Sequence, residues 1–134
     1  MDTYAWIEIF LGSHQGEKAK EVIQNSEEAY TPDIVLAEIA RKYLREGAKE
    51  QTINERLKTI EETSEIAHID KETAIESAKC YMELSQKARK EKLKTPSLFD
   101  AIILATAKTL NAKIITGDEH FKGLNQTIWI GETP

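Results

Sequence analysis

Apolar residues fill nearly every position from Leu98 to Leu110, directly after the break Thr95-Pro96-Ser97. That pattern predicts a buried helix. Elsewhere helical periodicity alternates with short apolar runs. Tyr4 to Leu11 reads as a helix ended by Gly12 and Ser13, and Gly16 to Ser26 as a second helix. Glu28 to Thr31 reads as a brief strand. Thr31-Pro32 then predicts a helix start, with Thr31 as N-cap and Pro32 in the first turn. This helix runs from Asp33 towards Glu46 and stops at Gly47. A polar helix follows over Glu50 to Thr63, then a strand over Glu65 to Ile69. Asp70 to Lys92 is a long helical stretch with Asp70 as its cap. Lys113 to Thr116 and Thr127 to Ile130 are predicted strands. Helices repeated between short apolar strands spell an α/β fold, a parallel sheet covered by helices.

Four acids interrupt or border this apolar pattern. Glu38 stands inside Ile34-Val35-Leu36-Ala37-Glu38-Ile39-Ala40, and Asp100 inside Leu98 to Ala105. Asp118 closes Ile114-Ile115-Thr116-Gly117-Asp118, and Asp2 precedes the first helix. Carboxylates are seldom buried without compensation. Several brought together repel one another, which makes a hard divalent cation a natural partner. In open parallel sheets, sites form beyond the carboxyl ends of strands, where Asp118 falls.

Each acid also has a local use. Ser97-Leu98-Phe99-Asp100 fits a helix capping box. Glu38 is spaced for a helical ion pair with Lys42, worth only about 0.3–0.5 kcal/mol. Asp118 is placed to cap the turn Glu119-His120-Phe121, and Asp2 is one acid among 23. Their joint arrangement along the chain is what the local uses leave unexplained.

Composition narrows the classes. At 134 residues the chain is expected to form one domain over 1–134. A chain of this length buries roughly two-thirds of its unfolded surface, enough for a core. No apolar run approaches a membrane span, and no secretory leader is evident, so a cytoplasmic location is expected. Cys80 is the single cysteine, so neither an internal disulfide nor a cysteine zinc site is available. The net charge of −5 argues against nucleic-acid binding by overall charge alone. Positive charge is nonetheless clustered, at Lys87 to Lys94 and at Arg41 to Lys49. Either cluster also reads as an ordinary solvated helix face.

The order Asp2-Thr3-Tyr4-Ala5-Trp6-Ile7, Glu38 within Val35 to Ile39, Phe99-Asp100-Ala101-Ile102-Ile103-Leu104-Ala105-Thr106-Ala107, and Ile114-Ile115-Thr116-Gly117-Asp118-Glu119-His120-Phe121 resembles the PIN domain family. The likeness is greatest to the short VapC-type toxins of toxin–antitoxin pairs, and it covers essentially the whole chain. It implies a three-layer α/β/α sandwich with a short, mostly parallel central sheet. Family members begin with a strand that delivers the first aspartate. Here only Met1 precedes Asp2, so that strand is expected to be truncated.

The resemblance implies that Asp2, Glu38, Asp100 and Asp118 are the catalytic acids and hold one or two Mg²⁺ or Mn²⁺ ions. Thr116, Thr3 and Glu119 would be supporting residues. His120 reads as a partly exposed helix residue rather than a phosphate contact. The implied activity is metal-dependent hydrolysis of single-stranded RNA, leaving a 5′-phosphate and a 3′-hydroxyl. The implied partners are RNA, a small antitoxin protein and a second copy of the chain, with no membrane. Trp6, Ile9 and Phe10 are candidates to line the antitoxin groove, with plain core packing the stronger reading for at least Ile9 and Phe10. A competing expectation is a PIN-like RNA-binding or assembly module with little or no catalysis. A phosphoacceptor signalling domain fits poorly, because neither a paired acid after a first strand nor a well-placed lysine is present.

Overall fold

The computed structural model describes residues 1–132. They fall into two compact units, one over Met1–His68 and one from Ile69 onward.

The first unit runs α1 (Thr3–Leu11), α2 (His14–Gln24), β1 (Tyr30–Pro32), α3 (Asp33–Arg45), α4 (Glu50–Thr63) and β2 (Glu65–Ala67). Capping chemistry sets the first boundaries. Asp2 caps α1 by accepting from the Ala5 N–H, and Gly12 ends it in the left-handed region at φ 69°. Ser13 at once caps α2 through Gly16. A Cβ on Gly16 would lie 2.1 Å from the Glu8 carbonyl oxygen, so only glycine lets α2 close on α1 here. Strands β1 and β2 pair in parallel, with Thr31 opposite Ile66. The crossover between them is α3 and α4, as parallel pairing requires. Among the described residues no strand precedes α1.

Thr31 is not the N-cap that the Thr-Pro pair predicts. It lies in β1, fully buried, and Pro32 takes the cap position with no side-chain bond. The Thr31 hydroxyl accepts from Trp6 Nε1 at 3.0 Å and shares a 2.7 Å bond with Ser64 Oγ. Strand pairing and these long-range partners hold Thr31 extended and outweigh its capping tendency. Strand β2 also ends at Ala67 rather than Ile69, because Asp70 caps the next helix through the Thr73 N–H.

The second unit runs α5 (Lys71–Glu91), α6 (Leu98–Leu110), β3 (Ile114–Thr116), a 3-10 turn (Glu119–Phe121) and β4 (Thr127–Trp129). Helix α5 buries Thr73, Ser77, Cys80, Leu84 and Ala88, a stripe at helical spacing. It packs against α6, buried continuously from Ala101 to Ala107. Thus the apolar run of α6 forms the centre of this unit, as its sequence predicts. Strands β3 and β4 pair in parallel, with Thr116 opposite Trp129. All the strand pairing described is parallel, in two separate pairs.

Candidate active site

Each unit holds two of the four acids. In the first unit Asp2 is only 2% exposed. It sits in extended backbone ahead of α1, and its Oδ1 accepts from the Ala5 N–H at 2.9 Å. A helix N-terminus favours a negative charge, which offsets part of the cost of burying this carboxylate. The next residue, Thr3, donates from Oγ1 to Glu38 Oε1 at 2.7 Å. This bond joins α1 to α3 and fixes one oxygen of Glu38, which is half-buried. Lys42, the partner that helical spacing offers Glu38, pairs with Glu46 at 3.1 Å. The Met1 amino group donates to the Tyr30 carbonyl, and burial lowers its pKa to about 6 against the opposing pull of Asp2.

Beneath these residues Trp6 is 2% exposed and held by Thr31. It is a core residue, not the groove-lining one that the sequence suggests. Its ring stacks on Phe10 at 5.8 Å, and Arg56 lies 4.9 Å from the Phe10 ring centre. Ile9 and Phe10 remain half-buried, and Leu11 is exposed.

In the second unit the acids follow β3 and open α6. Thr116 is fully buried at the end of β3, and its hydroxyl accepts from the Asp118 N–H at 2.9 Å. Asp118 Oδ1 accepts from the His120 N–H at 2.9 Å and lies 3.0 Å from His120 Nδ1. The other ring nitrogen, Nε2, lies 2.8 Å from the Lys94 carbonyl oxygen. Carboxylate and carbonyl oxygens accept only, so each ring nitrogen engages its oxygen only as an N–H donor. Burial opposes a positive charge on His120, but the Lys94 carbonyl, Asp118 and Asp100 outweigh it and raise the pKa.

Asp100 makes the capping box that Ser97-x-x-Asp100 predicts. Its Oδ2 accepts from the Ser97 N–H at 2.9 Å, and the Ser97 hydroxyl accepts from the Asp100 N–H at 3.1 Å. The capping role does not exhaust this acid. Burial raises its pKa, the Ser97 N–H opposes the rise, and the negative charge of Asp118 adds to it. A hard cation would relieve a carboxylate whose charge is disfavoured by burial and by a neighbouring acid. The donors present therefore fit Mg²⁺ or Mn²⁺ in kind. Among the described residues no group of three or more His, Cys, Asp or Glu is gathered to hold a metal ion. Glu119 is exposed in the 3-10 turn, and its carbonyl faces Lys87 Nζ at 3.4 Å.

His120 is the partly exposed turn residue expected, but its ring makes a contact that the sequence does not signal. Its side chain is 14% exposed and engaged at both nitrogens. Nothing local to His120 signals the Lys94 contact, which spans 26 residues. Among the described residues no helix is long and apolar enough to cross a membrane.

Short parallel strand pairs, two of the four acids in each unit, and acids beyond a strand end and at helix starts define an acid-bearing α/β protein. The PIN domain family model matches residues 1–125, and the chain belongs to that family. PIN domains are generally nucleases and generally use divalent metal ions. The fold is similar to a chain of a toxin–antitoxin complex from Klebsiella pneumoniae. There the TM-score is 0.68 at 24% identity, covering 98% of this chain and 97% of that one. It is also similar to a chain of VapBC2 from Rickettsia felis bound to a DNA fragment from their promoter. In that case the TM-score is 0.62 at 20% identity, covering 91% and 88%. No curated protein matches the chain.

Proposed function

We propose that this protein is a metal-dependent endoribonuclease and the VapC-type toxin of a toxin–antitoxin pair. The observation that carries the reading is Asp100 at the start of a buried helix, its charge disfavoured by burial and by Asp118 just past a strand end, in a chain of the PIN family. Likeness to chains of toxin–antitoxin complexes supports the biological role.

Asp2, Glu38, Asp100 and Asp118 are the proposed catalytic and metal-holding acids. A bound Mg²⁺ or Mn²⁺, as one ion or two, would supply a lowered water pKa and charge stabilisation at the phosphate. The protein's part is to hold these oxygens in place. Thr3 fixes one oxygen of Glu38, and Thr116 fixes the backbone from which Asp118 projects. Glu119 stands beside Asp118 as an outer supporting acid. Water adds to phosphorus and the 3′-oxygen leaves with a proton, which gives a 5′-phosphate and a 3′-hydroxyl. A carboxylate assists by accepting the water's proton.

The two units are read as parts of a single domain, since the family model spans both. A small antitoxin is the proposed partner, with the half-exposed Ile9 and Phe10 and the exposed Leu11 as apolar contacts. Exposed Ile75 and Met82 lie on one face of α5 and support a homodimer, which light scattering tests. A cytoplasmic location completes the reading.

The test is cleavage of a mixed-sequence single-stranded RNA by purified protein with Mg²⁺ or Mn²⁺. EDTA and Asp100→Asn are expected to abolish it. Cleavage that survives Asp100→Asn would refute the site. Binding of RNA without turnover in every metal would favour a PIN-like binding or assembly module. Co-purification with a short neighbouring-gene product that suppresses cleavage is expected of a toxin.

A further inference from the structure

His120 and Lys94 lie on opposite sides of α6 in sequence, yet the ring of one meets the carbonyl of the other at 2.8 Å. Residues 92–97 form the segment that turns the chain from α5 into α6 and so sets the position of Asp100. The same ring reaches Asp118 at 3.0 Å through its second nitrogen. A rigid imidazole thus bridges the segment carrying one acid and the side chain of the other. We propose that His120 is a positioning residue, a strap that fixes Asp118 relative to the start of α6 and thereby sets the geometry of the Asp100–Asp118 pair for a divalent cation. This inference rests on the nuclease reading above for the cation, but the bridge itself is independent of it.

Three features favour a strap over an incidental surface contact. The ring is largely covered, with 14% of the side chain exposed. Both of its nitrogens are used, so its rotation is arrested from two sides. Its own N–H also binds Asp118 Oδ1, so backbone and ring converge on one carboxylate oxygen. The turn is anchored from behind as well. Phe121 is fully buried, and its carbonyl accepts from the Thr127 hydroxyl at 2.6 Å. Hydrogen-bond partners of metal-holding carboxylates typically govern affinity by about 10–100-fold, through orientation.

The strap predicts a specific pattern. Mn²⁺ affinity would be measured by electron paramagnetic resonance of free Mn²⁺, using the whole chain. Wild type would be compared with His120→Ala, His120→Gln, Asp118→Asn and His120→Ala/Asp118→Asn. His120→Ala is expected to weaken Mn²⁺ binding about 10-fold or more. His120→Gln, which retains one donor, is expected to recover part of that loss. In the Asp118→Asn background the His120→Ala change is expected to add little, because the ring acts through Asp118. Unchanged affinity in His120→Ala would overturn the proposal. So would tighter binding, since the ring would then act only as a competing positive charge. Amide hydrogen exchange of residues 92–97 without metal supplies the independent arm. Faster exchange in His120→Ala supports the bridge, and unchanged exchange overturns it. If wild type binds no Mn²⁺ while exchange still responds to His120→Ala, the metal reading fails and the bridge stands as a structural contact only, which overturns the positioning role.

Discussion

Asp100 shows how one residue serves two demands. It satisfies the Ser97 N–H at the start of α6, yet burial and Asp118 both disfavour its charge. A carboxyl whose pKa is raised by folding contributes stability at low pH, below its unfolded value. That contribution is lost as pH rises through the raised value. Asp100→Asn keeps an acceptor for Ser97 and removes the strained charge. Without metal at neutral pH, it is expected to raise the melting temperature by roughly 1–4 °C, as some tenths of a kcal/mol do in a chain of this size. Calorimetry in EDTA checks this, and a fall would show that the cap outweighs the charge strain. Cys80 carries a second prediction at this scale. Burial pushes its thiol up to about 11, and it lies on the buried face of α5, the helix that packs against α6. The thiolate is the reactive form, so a native thiol of this kind is inert at pH 8. A colorimetric thiol reagent should label the folded protein far more slowly than the urea-unfolded chain.

Helix contacts decide what each element contributes. The closure of α2 on α1 depends on a glycine with no room for a methyl group. Gly16→Ala is therefore expected to destabilise by about 1–3 kcal/mol, although alanine is the better helix former. In the second unit Leu84 is 1% exposed on the buried face of α5. Leu84→Ala is expected to cost about 2–5 kcal/mol, from lost burial and the cavity left behind. Urea unfolding measures both. A Gly16→Ala protein as stable as wild type would mean that α2 moves off α1 without penalty.

At the scale of the whole molecule, charge and metal act together. The chain carries −5 overall, so a bound cation offsets charge where carboxylates crowd. On the nuclease reading, a metal that binds only the folded state stabilises it by about 2.7 kcal/mol at 100 times its dissociation constant. Mn²⁺ is expected to raise the melting temperature of wild type, EDTA to reverse the rise, and Asp118→Asn to abolish it. The basic stretches give only modest electrostatic help. Lys87 pairs with Glu91 and Lys42 with Glu46, while Arg41, Arg45 and Lys49 in one stretch and Arg89, Lys90, Lys92 and Lys94 in the other are exposed. Neutralising Lys90 and Lys92 together should lower the salt slope of RNA binding by about 1–2 units, if that stretch meets phosphate.

Much of the architecture was legible in residue order. The polar helix Glu50–Thr63 and the buried helix Leu98–Leu110 match their predicted bounds. Helix period, caps and breakers are local properties, and local chemistry decides them. The capping box at Ser97 and Asp100 and the cap at Asp118 were legible for the same reason. The order of the acids marked the PIN family before any fold was known, since motif order is a property of the chain itself. Tertiary structure decided what depends on distant partners. It drew Thr31 into a strand beside Ser64, buried Trp6, tied Thr3 to Glu38 across 35 residues, and set His120 between Asp118 and Lys94. Each of these outcomes turns on a hydrogen-bond partner far away in sequence, which period and propensity do not encode.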